Sequence, residues 1–203
     1  MPAGRLGYTA EMKLDLETAR LRLRPLTEGD VDLGLDLLTD PAVTKYAGRT
    51  YTRDEVAEQM PTVVRRCAGG AIGIWCVTDR ATGEKLGTAI LLPLPVDEDD
   101  TNWDLVRGEQ MPDAEIEIGY MFKPSAWGKG YATEACARLL RFAFEETTLD
   151  EVVAVTAPEN AASQNVLRKC GLVHEGTRKA YAYPCPGFRI TRKAWLANHP
   201  AVE

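Results

Sequence analysis

The alternation of apolar and polar positions divides the chain into short strands and amphipathic helices. Over residues 18–26, TARLRLRPL sets Leu21 and Leu23 between Arg20, Arg22 and Arg24, the period of two that predicts a half-buried strand. Pro25 cannot donate a ladder hydrogen bond, so it is expected to end that strand or lie at a sheet edge. Thr27 opens a helix with Val31, Leu33, Leu37 and Leu38 on its apolar side, broken at Asp40-Pro41. Residues 52–55 spell a capping box, with the Thr52 hydroxyl and the Glu55 carboxylate each satisfying an orphan backbone N–H. The helix it starts is expected to run towards Cys67, to kink or split at Pro61, and to be closed by Gly69-Gly70.

Residues 72–78 and 85–92 read as the strands of an antiparallel hairpin, joined by the turn chemistry of residues 79–84. A long connection follows over 93–112, with Asp97, Glu98, Asp99, Asp100, Asp104 and Glu109 around Trp103. Such a loop is either an acidic lip that attracts a cationic substrate or a solvated insertion. Residues 115–122, EIEIGYMF, form a strand that crosses Lys123-Pro124-Ser125-Ala126 into a helix around Trp127 to Ala132. That helix, 131–146, is apolar at Ala135, Leu139, Leu140, Ala143 and Phe144. A β-branched strand over 151–157, a short helix over 161–169 stopped by Gly171, and strands over 172–178 and 188–195 complete the chain. Strand–helix–strand–helix flanked by antiparallel strands predicts a mixed α/β sheet around one crossover, not a doubly wound fold.

At 203 residues the chain is read as a flexible leader, 1–17, and one domain, 18–203. The net charge of −6 argues against a nucleic-acid binder, which needs Lys and Arg against phosphates. No apolar run approaches membrane-spanning length, and the first residues lack a signal-peptide core, so a cytoplasmic protein without a membrane partner is expected. Five cysteines, Cys67, Cys76, Cys136, Cys170 and Cys185, are scattered without a C-x-x-C, and only His174 and His199 accompany them. No metal set is expected, and the thiols read as packing.

Two patterns carry chemistry. Gly128, Gly130 and Ala132 leave the backbone uncrowded where a helix begins, which suits either a phosphate held by the free N–H groups or simply a tight turn. Alternation places Glu115 and Glu117 on one strand face, and Gly119 within the same strand suggests a bulge or a close backbone approach.

Taken together, GYMFKPSAWGKGYATEA and APENAASQNVLRKCGLVHEG resemble the GNAT superfamily of acetyl-CoA-dependent N-acetyltransferases. They look most like the branch of ribosomal-protein N-terminal alanine acetyltransferases, RimJ and RimL. The resemblance covers nearly all the chain after the leader, and it implies a mixed, mostly antiparallel sheet splayed at two parallel strands and flanked by helices. Acetyl-CoA would lie in the splay as co-substrate, its pyrophosphate held by backbone N–H groups of Trp127, Gly128, Lys129, Gly130, Tyr131, Ala132 and Thr133, with the Lys129 side chain in solvent. A bulge at Gly119 would open the slot and turn the Met121 N–H towards the thioester oxygen. Glu117 would serve as base, through water, with Glu115 the lesser candidate. Asn160 would bond the pantetheine chain or cap the following helix, and Ser163 would orient the cofactor or assist the thiolate. Two departures stand out: Trp127 replaces the more common Gln or Arg, and Leu167 stands where many members carry the Tyr that protonates the thiolate. The implied acceptor is a protein N-terminus or a small amine such as an antibiotic or polyamine, with a homodimer left open. A non-catalytic acyl-CoA-binding module on the same fold is the alternative.

Overall fold

The computed structural model describes residues 12–199. Eight strands form one sheet: β1 (Leu16–Glu17), β2 (Leu21–Pro25), β3 (Gly73–Asp79), β4 (Lys85–Pro93), β5 (Ile116–Phe122), β6 (Glu151–Val155), β7 (Val173–Ala180) and β8 (Tyr183–Thr191). Their order is β1-β2-β3-β4-β5-β6-β8-β7. Every neighbouring pair is antiparallel except β5 and β6, which are parallel and share one paired position, Glu117 with Val153. The helices are α1 (Val31–Leu38), α2 (Pro41–Thr44), α3 (Arg53–Val63), α4 (Tyr131–Glu145), α5 (Ala161–Lys169) and α6 (Arg192–Asn198). This is the mixed α/β architecture expected from the residue pattern, with α4 as the crossover between the two parallel strands.

The sheet buries both faces. Ile116, Ile118 and Phe122 of β5 join the α4 stripe of Ala135, Leu139, Leu140, Ala143 and Phe144 in the main core. Full burial of a leucine such as Leu139 contributes about 1.5 to 3 kcal/mol. On the other face, Leu33 and Leu37 of α1 and Met60 of α3 pack with Cys76 and Met121.

Four expectations change. The segment expected as a leader over 1–17 is tied to the sheet at its inner end: Leu16 is fully buried and pairs with Leu23, and the Trp75 indole donates to the Leu14 carbonyl at 3.0 Å. Burial of one leucine and a short edge pairing hold this segment down, while residues 1–11 lie outside the described residues. Helix α3 keeps its capping box at Thr52 and Glu55 but stops at Val63, because Pro61 occupies its last turn and removes a helix hydrogen bond. Cys67 instead bridges to Ile72. Trp195 lies not in a strand but in α6, which Thr191 caps by accepting the Ala194 N–H at 3.2 Å; its ring packs on Phe144. Finally, Gly119 forms no bulge. The β4–β5 register runs unbroken from Pro93–Ile116 to Gly87–Phe122. Gly119 is instead a close approach, since a Cβ there would meet Ile90 at 3.0 Å.

The splay therefore has another cause. β6 keeps a full ladder with β8 over all five of its residues and meets β5 only at Val153. Past that bridge β6 follows β8, and the chain leaves for α5 through Pro158. This leaves the β5 edge from Gly119 to Phe122 unpaired on the β6 side, a gap in the sheet on the way from β5 to the start of α4.

Candidate active site

The loop into α4 has the geometry of an anion cradle. The Trp127 N–H closes a turn on the Pro124 carbonyl at 3.1 Å, and its indole Nε1 donates to the Phe122 carbonyl at 2.7 Å, tying the loop to the end of β5. Gly128 and Gly130 follow with φ of 71° and 79°, the left-handed region in which a side chain is strained. The next backbone N–H with a backbone acceptor is that of Glu134, at 3.1 Å from the Gly130 carbonyl. The N–H groups from Gly128 to Thr133 thus lack partners among the described residues, at the positive end of a fifteen-residue helix. Lys129 is exposed, and its side chain faces solvent as expected.

A residue that alternation had marked only as a polar strand position organises this loop. Arg20 donates through Nε to Glu134 Oε2 at 2.7 Å and through Nη1 to the Lys129 carbonyl at 2.9 Å, and its guanidinium lies 4.7 Å from the Tyr131 ring centre. Glu134, in the first turn of α4, also accepts from the Thr18 hydroxyl at 2.5 Å. The β1–β2 turn therefore clamps the start of α4.

Glu117 sits at the closed end of the gap, on the bridge itself, and is only 4 % exposed. Burial pushes its carboxyl up to about 7, against a hydrogen bond from the Tyr181 hydroxyl and the charge of Arg178, which both pull it down, while Asp100 adds a small upward push. Tyr181 comes from the β7–β8 turn and was not foreseen. Glu115 faces a different environment: Arg178 and Arg189 both donate to it, and Arg189 continues to Glu151 and Glu175. Its two oxygens are already engaged in an ion network.

The register decides which backbone N–H enters the gap. Leu94 donates to the Glu115 carbonyl at 2.8 Å and Lys123 to the Leu86 carbonyl at 2.9 Å. Both bonds fit the β4–β5 register, so the odd-numbered residues of β5 turn their N–H groups to β4. The N–H of Met121, opposite Thr88, therefore points away from the gap, and the oxyanion role assigned to it is corrected: without a bulge, the N–H groups that face the opening are those of Tyr120 and Phe122, with Tyr120 the closer in sequence to Glu117.

Behind the gap, the Tyr120 hydroxyl lies 3.1 Å from both the carbonyl and the Oγ of Ser163. Asn160 caps α5, its Oδ1 accepting the Ser163 N–H at 3.1 Å, so the simpler of its two expected roles is filled. Leu167 is packed in the core at 1 % exposure and offers no proton. Tyr120 is thus the phenol nearest the Ser163 side of the site.

The acidic connection is pinned at its start. The Tyr181 and Ala182 N–H groups donate to the Pro95 and Val96 carbonyls at 3.0 and 3.2 Å, and Lys179 pairs with Asp97. Asp100 acts electrostatically on Glu117, Tyr181 and Tyr51, so the loop's charge bears on the site. No described helix is long and apolar enough to cross a membrane.

A sequence model described as an acetyltransferase (GNAT) domain matches residues 20–173. The chain is 35% identical over 198 residues to "FsC-acetyl coenzyme A-N(2)-transacetylase" of Aspergillus fumigatus, covering 93% of this chain and 80% of that protein. It is 30% identical to the uncharacterized protein YkkB of Bacillus subtilis, over 85% of this chain and 92% of the relative. Among solved structures, spermidine N-acetyltransferase from Vibrio cholerae in complex with CoA and spermine superposes with a TM-score of 0.66 at 20% identity, over 88% of this chain and 99% of that one. With the splayed sheet and helix-start cradle described, and the domain model spanning most of its length, the chain belongs to the GNAT family of acetyl-CoA-dependent acetyltransferases.

Proposed function

We propose that the protein transfers the acetyl group of acetyl-CoA to a primary amine by direct attack in a ternary complex, with Glu117 as base. The observation that carries this reading is a buried carboxyl near neutrality at the closed end of the gap. Such a group is half ionised at working pH and can take the ammonium proton, directly or through one water. The pyrophosphate lies against the free N–H groups from Gly128 to Thr133, the Trp127 N–H being taken by the Pro124 carbonyl, and the thioester reaches into the gap. The amine lone pair then adds to the carbonyl carbon, and the Tyr120 N–H steadies the oxygen as charge develops. The C–S bond breaks, its electron pair leaves with sulfur as a thiolate beside Ser163, whose hydroxyl is oriented by Tyr120, and the proton shed by the new amide nitrogen passes to that thiolate or to solvent. A thiol's pKa of about 8.5 makes a strong acid at Leu167 unnecessary.

For the acceptor, the acidic residues Asp97 to Asp100 and the buried Glu117 favour a cationic amine. The relative of Aspergillus fumigatus is named for N(2)-transacetylation, and a solved neighbour contains spermine, so amines recur around this fold. A basic protein N-terminus of the RimJ/RimL kind meets the same charge requirement; another relative is named a putative ribosomal N-acetyltransferase, matching 33% of this chain.

The test is thiol release from acetyl-CoA with spermidine, an aminoglycoside and a basic peptide. Turnover with any of them supports the enzyme. Thermal stabilisation by acetyl-CoA without turnover on any acceptor would point to a binding module. In the same assay Arg20→Ala is expected to raise the KM for acetyl-CoA about three- to tenfold with kcat little changed, because it removes the clamp on the Lys129 carbonyl and on Glu134. An unchanged KM would show that the cradle stands without the clamp.

A further inference from the structure

We infer that Tyr181 is a positioning residue for the reaction, its hydroxyl holding the Glu117 carboxylate in the orientation and ionisation state in which it accepts a proton. The inference rests on Glu117 being the base, and four observations on Tyr181 support it.

The first is the contact. The Tyr181 hydroxyl donates to Glu117 Oε1 from 64 residues away in sequence, so the bond exists only in the assembled sheet. The second is backbone cost. Tyr181 and Ala182 form the two-residue connection between β7 and β8, with φ of 52° and 62°. A two-residue hairpin with both central residues at positive φ calls for Asn or Gly, and a tyrosine there is strained. The third is restraint: the N–H groups of both turn residues are fastened to the Pro95 and Val96 carbonyls, so the phenol is aimed by the sheet and the loop together. The fourth is chemistry. A phenol with its ionisation suppressed by burial and by the adjacent carboxylate remains a donor across the working pH range. It stabilises the ionised form of its partner and leaves the second carboxylate oxygen free for the amine or a bridging water.

The titratable groups acting on Glu117 come from four elements: Tyr181 in the turn, Arg178 on β7, the Cys185 thiol on β8, and Asp100 in the acidic loop. Of these only Tyr181 forms a hydrogen bond to Glu117. Arg178 is directed at Glu115 and Glu175, and Asp100 acts at longer range with the opposite sign. Deleting the hydroxyl therefore leaves burial and Asp100 opposed by Arg178 alone, and the carboxyl should become harder to ionise.

The test is Tyr181→Phe, read first by carbon-13 NMR titration of the Glu117 side chain in the free protein, which needs no acceptor. The midpoint is expected to rise by about one to two pH units, the worth of a hydrogen bond to a charged group. The Ala182→Gly variant relaxes the same turn and keeps the hydroxyl, so it is expected to leave the midpoint in place. A Tyr181→Phe midpoint that is unmoved or lowered overturns the inference, as does an equal rise in Ala182→Gly. With spermidine or whichever panel amine turns over, the acid limb of kcat/KM should shift by the same amount. Activity at pH 7 then falls about five- to fiftyfold and recovers towards pH 9, with the KM for acetyl-CoA unchanged. A constant loss at every pH assigns Tyr181 to packing and overturns the inference. Glu117→Gln separates the two readings: if it leaves the acid limb in place, Glu117 is not the base. The titration then still reports independently on the Tyr181 contact.

Discussion

Replacing Glu117 by Gln is expected to slow turnover by about 10²- to 10⁴-fold, the usual worth of a general base, while making the protein more resistant to unfolding above neutral pH. The two effects share one cause. Gln keeps an oxygen to accept from Tyr181 and nearly the same volume, but it cannot take a proton and has no charge to bury. In the folded protein the carboxyl ionises at about 7, against an ordinary value of 4.5. Between those two values the folded state binds more proton than the unfolded one, so stability falls as pH rises from about 4.5 to about 7 and stays low above it. The difference corresponds to about 3 kcal/mol once ionisation is complete. Denaturant melts at pH 5 and pH 8.5 check this directly. The variant and the parent should be close at the lower pH and diverge at the higher, with the variant the more stable. Equal stability at both, with turnover preserved, would remove Glu117 from the chemistry.

The double change Gly128→Ala and Gly130→Ala should weaken acetyl-CoA binding by about a hundredfold. Space is not the obstacle: nothing lies within 4 Å of a Cβ at Gly128, and at Gly130 the nearest atom is Arg20 Nη2 at 3.5 Å. The obstacle is the backbone, since each left-handed alanine costs about 1 to 2 kcal/mol. In the free protein the loop can relax to escape that strain. Binding a pyrophosphate requires the N–H groups to converge again, so the strain reappears as lost affinity. Calorimetry with coenzyme A measures the affinity, and circular dichroism confirms that the fold persists. Affinity within twofold of the parent in a folded variant would mean that the anion sits elsewhere.

What the sequence made legible was local. The Thr52–Glu55 box, the Asn160 cap, the α4 stripe and the common face of Glu115 and Glu117 depend on spacings of a few residues, and the chain folds as those spacings dictate. The contacts that complete the site span 64 residues from Glu117 to Tyr181, 114 from Arg20 to Glu134 and 43 from Tyr120 to Ser163. No periodicity encodes such distances; the sheet order does. The exchange of Met121 for Tyr120 has the same origin. Alternation gives the side-chain face, but the direction of an N–H depends on which neighbour the strand pairs with, and an assumed bulge at Gly119 shifted that parity by one. Trp195 was misplaced because the β8 alternation of Phe188 and Ile190 continues visually past Thr191, where the hydroxyl already caps a helix.

The single bridge between Glu117 and Val153 also sets a length scale. In the proposed complex a thioester entering from the start of α4 would run along β5 past Phe122 and Tyr120, and at Glu117 the two strands close on one another. The bridge is the back wall of the slot. With the pyrophosphate held at the start of α4 as proposed and this wall at the other end, the pantetheine arm would act as a ruler. In the proposed complex an acyl chain longer than acetyl is expected to meet Val153 and the Glu117–Tyr181 pair, so lengthening it should lower turnover. On the proposed function, donor selectivity is expected to follow the point at which the two strands stop diverging, and a wider acyl range would require moving that point along the sheet.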